Sequence, residues 1–97
     1  MSIPSSPFTL AAFSAQRGTN FTVAGLDGLA LELFEATPLD SQAPDERRFS
    51  LLFRGPAQPV LPQATYTLEH AAAGALAIFL VPVGRDAQGV QYQAIFN

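Results

Sequence analysis

With 97 residues, 48% of them apolar and 13% charged, the chain has room for one domain and enough apolar surface to build a core. Five Arg, no Lys and eight acids leave a net charge of −3, which argues against a nucleic-acid partner. The lack of Cys excludes disulfides, thiolate catalysis, iron–sulfur clusters and cysteine zinc sites, and one His excludes a multi-histidine metal centre.

Residues Met1 to Pro7, with two Pro and three Ser, predict an extended tail; without a basic residue or apolar run they do not form a secretory signal. Phe8, Leu10, Ala11, Ala12, Phe13 and Ala15 suit one or two helical turns stopped at Gly18, with a strand as the competing reading. Asn20 to Ala24 puts Phe21 and Val23 on one face, and Asp27-Gly28 is the stronger pair of the turn that follows. Leu29, Leu31 and Leu33 then oppose Ala30, Glu32 and Phe34 with the period of a strand. Thr37 to Glu46 reads as an exposed loop.

Arg48 to Arg54 resumes the alternation, with Phe49, Leu51 and Phe53 inward, and Gly55-Pro56 ends it. Ala64 to His70 carries Thr65-Tyr66-Thr67, residue types that suit a pleated surface. Ala75 to Val81 is apolar on both faces, which predicts a strand buried on both sides or central in the sheet. Pro82 must weaken or bulge the pairing, because it has no amide proton to give. Gly84 to Gly89 is the expected polar hairpin loop, and Val90, Tyr92, Ala94 and Phe96 form a last strand. No connection is both long and helical, so parallel crossovers are absent. The expected fold is mainly β: a small antiparallel barrel or sandwich of about six strands with one short N-terminal helix, a tail over 1–7 and one domain over 8–97.

Chemistry finds little to work with. Glu32 and Glu35, three apart on a strand, should emerge on opposite faces and form no dyad. Asp45 and Glu46, followed by Arg47 and Arg48, read as a solvated salt-bridged loop rather than an acid/base pair. Glu69 and His70 are adjacent on a strand and therefore diverge, so a structural His70 is favoured over a catalytic base or metal ligand. Arg54 ends an apolar strand, where its guanidinium could bind carboxylate or carbonyls; a structural bridge to Glu69 is favoured over anion binding. Tyr92, between Gln91 and Gln93, suits a polar edge. No glycine-rich phosphate loop or nucleophile elbow is present, and no cofactor or metal is expected.

Three blocks carry a resemblance: Phe49 to Pro56 (FSLLFRGP), Leu61 to His70 (LPQATYTLEH), and Phe79 to Gly84 (FLVPVG) with the ending Tyr92 to Asn97 (YQAIFN). Together they resemble a family of roughly 100-residue bacterial proteins classed as a domain of unknown function, over most of the chain from Phe8 onward. The resemblance implies neighbours of the phage-tail-collar type, and hence a tail-like or contractile particle. It marks Arg54, Gln63, Glu69 and His70 as a group to test and supplies no catalytic residue. Ala64 stands where the family commonly has Gly.

The reading is a non-enzymatic interaction or assembly module that binds another protein through a sheet edge or loops, with homo-oligomers compatible and no membrane or nucleic-acid partner. The alternative is a small-ligand barrel with Arg54 and His70 at one mouth, recognising an anionic or sugar-like molecule. A hydrolase using His70 or paired acids ranks third. The longest apolar stretch, Ala71 to Val83, is interrupted by Gly74 and Pro82 and is short of the ~20 residues a spanning helix needs, so the cytoplasm is the default compartment.

Overall fold

Successive side chains of a strand point to opposite faces, so one apolar residue in two gives a sheet a single face to hide. Closing the sheet on itself hides that face without a second layer. The computed structural model describes residues 8–26 and 28–97; the expected tail and Asp27 of the expected turn lie outside the described residues. It contains a helix α1 (Leu10–Ser14) and strands β1 (Asn20–Val23), β2 (Ala30–Pro38), β3 (Phe49–Gly55), β4 (Ala64–His70), β5 (Gly74–Asp86) and β6 (Gly89–Phe96). All pairs are antiparallel, in the closed order β1-β2-β3-β6-β5-β4. The fold is a barrel, not a sandwich.

The inward set is the one that alternation predicts. Phe21 and Val23 of β1, Leu31 and Leu33 of β2, and Phe49, Leu51 and Phe53 of β3 are buried. Leu68, Leu76, Ile78, Leu80, Val90, Tyr92 and Ala94 complete the lining from β4, β5 and β6. Burial of a large apolar side chain stabilises by about 1.5–3 kcal/mol, so this lining is the main favourable contribution.

Two plugs close the barrel ends. A five-residue helix has no stability of its own, and α1 is held by its surroundings. Thr9 Oγ1 accepts from the Ala12 amide at 3.1 Å. From the β2–β3 loop, the Glu46 carboxylate accepts from the Ala11 amide and its carbonyl from the Leu10 amide, both at 2.8 Å. Phe13 is thereby pressed against Phe49 and Phe96, with ring centroids 5.7 Å away in each case. At the other end, the connection from β3 to β4 buries Leu61, whose amide donates to the Tyr92 hydroxyl at 2.9 Å.

Several expectations need correction. Tyr92 is no edge residue: its ring is core and its hydroxyl satisfies a buried amide. The stretch from Ala75 to Val81 buries one face only; Ala75 and Ala77 are exposed, and Phe79 keeps 51% of its surface in solvent. Apolar sequence on both faces of a barrel strand does not imply burial on both, because only the inside is closed. β2 extends through Thr37 and Pro38 into the expected loop, and β5 runs to Asp86, leaving only Ala87 and Gln88 between β5 and β6. The irregularity at Pro82 is present as a register shift between Pro82 and Gly84.

A second shift, between Leu33 and Glu35, makes Phe34 an extra residue on β2. Glu32 pairs with Arg54, and Glu35 with Leu52, two outward positions of β3. The two glutamates therefore share the outer face rather than opposing each other.

Where β6 begins, it crosses the end of β3 closely enough to exclude a side chain. Gly89 has φ +131°, and a Cβ there would lie 2.0 Å from the Gly55 carbonyl oxygen. Gly89→Ala combines overpacking with a backbone region that side chains avoid and should cost about 3 kcal/mol or more, read by urea unfolding. Tyr92→Phe leaves the buried Leu61 amide unpaired and should cost about 1–3 kcal/mol in the same assay. An unchanged midpoint for Tyr92→Phe would refute the plug.

Candidate functional site

The four candidates come from two strands and a loop, and the closed ring decides whether they meet. β3 and β4 stand three places apart in a six-strand cycle, on opposite sides of the barrel. Arg54 leaves the outer face of β3; Glu69 is exposed on the outer face of β4, opposite Thr22 and Ala75. The expected Arg54–Glu69 bridge is ruled out by this topology, because β6 and β5 intervene on one side and β2 and β1 on the other. Gln63 is exposed at the end of the loop before β4. The structure does not bring the group together.

His70 shares the inner parity of Tyr66 and Leu68 at the end of β4, its ring 4.5 Å from that of Phe21. Nδ1 accepts from the amides of Ala72 and Ala73 at 3.0 and 3.1 Å, which leaves the ring proton on Nε2. Nε2 lies 2.8 Å from Thr19 Oγ1 and donates to it, and that hydroxyl donates onward to the Gln16 carbonyl. Both nitrogens are committed to holding the β4–β5 turn and the segment after α1. This is the structural histidine expected from the sequence, with Thr19 as a partner that strand parity could not name.

Arg54 is in a different position. Its guanidinium carbon sits 4.3 Å from the centroid of the Phe34 ring, within cation–π range. Its Nε is buried without a hydrogen-bond partner among the described residues. Although Glu32 faces Arg54 in register, no ion pair joins them among the described residues. The extra residue on β2 supplies the ring over which the guanidinium lies. Sequence reading placed Phe34 on the outer face but had no signal for the bulge that brings it to Arg54.

The acids of the β2–β3 loop also do something other than expected. Asp45 Oδ1 accepts from the Arg47 amide at 2.9 Å, and Glu46 holds α1, so both serve backbone amides rather than arginines. Tyr66 donates its hydroxyl to the Pro62 carbonyl, and burial, then the neighbouring Tyr92, push its phenol above the usual range. A cleft of about 370 Å³ lies between the β1–β2 turn and the loop after β3; its lining includes Leu26, Leu29, Pro56 and Pro59, with Gln58 the one polar side chain among the described residues. None of the four candidates lines it. Among the described residues no helix is long and apolar enough to cross a membrane.

What remains outside the barrel is an apolar surface. Phe79 and Ile95 are 51% and 48% exposed, each two residues along its strand from the Val81–Gln93 pair. Half-buried Val81 and Leu52 adjoin them. A family model for a domain of unknown function, DUF6916, matches residues 8–96. The chain belongs to the DUF6916 family. No curated protein and no solved structure matches it. The family fits the sequence resemblance in size and in its unassigned function, and the barrel described here is the frame on which this DUF6916 domain presents its surface.

The fixed tautomer gives a test of His70. His70→Ala removes an acceptor for two turn amides and should cost about 1–3 kcal/mol in urea unfolding. His70→Asn restores a short acceptor of the kind Asp40 offers the Gln42 and Ala43 amides, and should recover much of that loss. Equal stability of wild type and His70→Ala would overturn the structural role.

Proposed function

We propose that this domain is a non-enzymatic interaction or assembly module, an accessory of a tail-like particle. The observation that carries the reading is the pair Phe79 and Ile95, large apolar side chains half in solvent on one sheet face. Isolated apolar residues on a surface are ordinary; a cluster with half-buried Leu52 and Val81 beside it suits a protein contact. The tail-like assignment rests on the family resemblance and its collar-type neighbours.

The contact is expected on a face or loop rather than a sheet edge. Closure is partial along the strands: β1 reaches β4 at only two residue pairs, and β5 pairs with β6 only from Val81 and with β4 only as far as Leu80, beyond which its β4 side is open. That stretch carries Pro82 and a register shift, two devices that blunt an edge. The small-ligand reading has less support. Arg54 and His70 lie on opposite sides of the ring, and no polar or charged residue is buried among those described. An interior ligand site needs a few convergent polar groups.

Co-expression of the tagged chain with the product of the adjacent gene, followed by affinity capture, tests the module. A stoichiometric complex supports it. Failure to capture the neighbour, from a folded domain that also shows no self-association, would sink it.

A further inference from the structure

We propose that the outer face of β3, β6 and β5 is the surface on which two copies of this chain pair. The inference rests on the interaction reading above and names the occupant of that same face.

Charge distribution is the first argument. The chain carries eight acids and a net charge of −3, so two copies repel over most of their surfaces. Yet along Ser50 to Arg54, Gln91 to Ile95 and Ala75 to Val81, no outward side chain is a carboxylate. The face is apolar at Phe79, Ile95, Val81 and Leu52 and neutral at Gln93, which donates to Ser50 Oγ at 3.3 Å. Two copies can approach here with carboxylates only at the borders of the face, Glu32 and Glu35 on β2 and Asp86, which accepts from Gln91 at 2.8 Å.

The second argument is self-complementarity, which a two-fold contact requires. Arg54 borders this face with no acid paired to it among the described residues. Glu35, exposed on the neighbouring strand opposite Leu52, has no cation paired to it among the described residues either. Among the described residues each copy thus brings one unpaired cation, Arg54, and two unpaired anions, Glu32 and Glu35, to the same border, with Glu35 the more exposed of the two acids. A face-to-face dimer sets Arg54 of each against Glu35 of the other, twice over. Phe34 holds the guanidinium in place before contact, which lowers the ordering cost.

Size sets the strength. Three strands ~4.8 Å apart and about five residues long make a patch well below the ~800 Å² per partner of a standard interface. The dimer is therefore weak, with dissociation expected at roughly 10–300 µM.

Sedimentation equilibrium of the purified chain, from about 10 µM to about 1 mM, reads this directly. The expected result is a mass rising from monomer to dimer. Phe79→Glu and Ile95→Glu, both at exposed positions, should weaken pairing at least about tenfold with unchanged melting temperature. Arg54→Glu and Glu35→Arg should each weaken it similarly, and the double exchange should return it to within about threefold of wild type. A chain that stays monomeric to about 1 mM overturns the proposal. So does a dimer indifferent to Phe79→Glu and Ile95→Glu, or a double exchange as weak as either single one. If the monomeric chain still captures the product of the adjacent gene, the module reading stands and only the second copy is lost.

Discussion

Closure of the sheet is the constraint from which the rest of this molecule follows. The seam is short: β1 meets β4 through Thr22–Glu69 and Val23–Leu68, with one further bond from the Ala24 amide to the Thr67 carbonyl. It is enough to turn an open sheet into a ring, and a ring has an inside. Phe21, Leu31, Phe53, Leu68, Ile78 and Tyr92 can then bury one face of every strand with no second layer.

The ends of a ring remain open, and the chain uses its irregular segments to fill them. Phe13 enters from a helix too short to stand alone, positioned by amides that Glu46 and Thr9 accept from. Leu61 enters from a proline-rich connection and is fixed by the Tyr92 hydroxyl. In a protein with 13% charged residues, polar side chains serve mostly as local acceptors for backbone amides. Asp40, Asp45, Glu46 and His70 all act this way, and no ion pair is formed among the described residues. The only imidazole is spent on a turn.

Set against this frugality, Arg54 and the apolar outer face are the features that the fold does not consume. The guanidinium is oriented by a ring instead of an acid, and Phe79 and Ile95 remain half in water. Burying those side chains against a partner would return free energy that the monomer leaves unused. A barrel of this kind has its surface, rather than its interior, to offer.

Residue order alone determined the buried lining of β1, β2 and β3, the antiparallel pattern, the boundaries of β4 and the break at Pro82. These depend on a period of two and on the chemistry of proline, both local properties. It also determined that His70 diverges from Glu69, by the same parity. Only the tertiary structure decided strand order, and with it that Arg54 and Glu69 lie across the barrel from one another. Parity failed at Glu35, because one inserted residue at Phe34 reverses every side chain after it, and an apolar Phe on the outer face gives no local sign of a bulge. The exposure of Phe79 was hidden for a related reason. Hydrophobicity shows which residues benefit from burial, while the number of layers packed on a sheet decides which of them receive it.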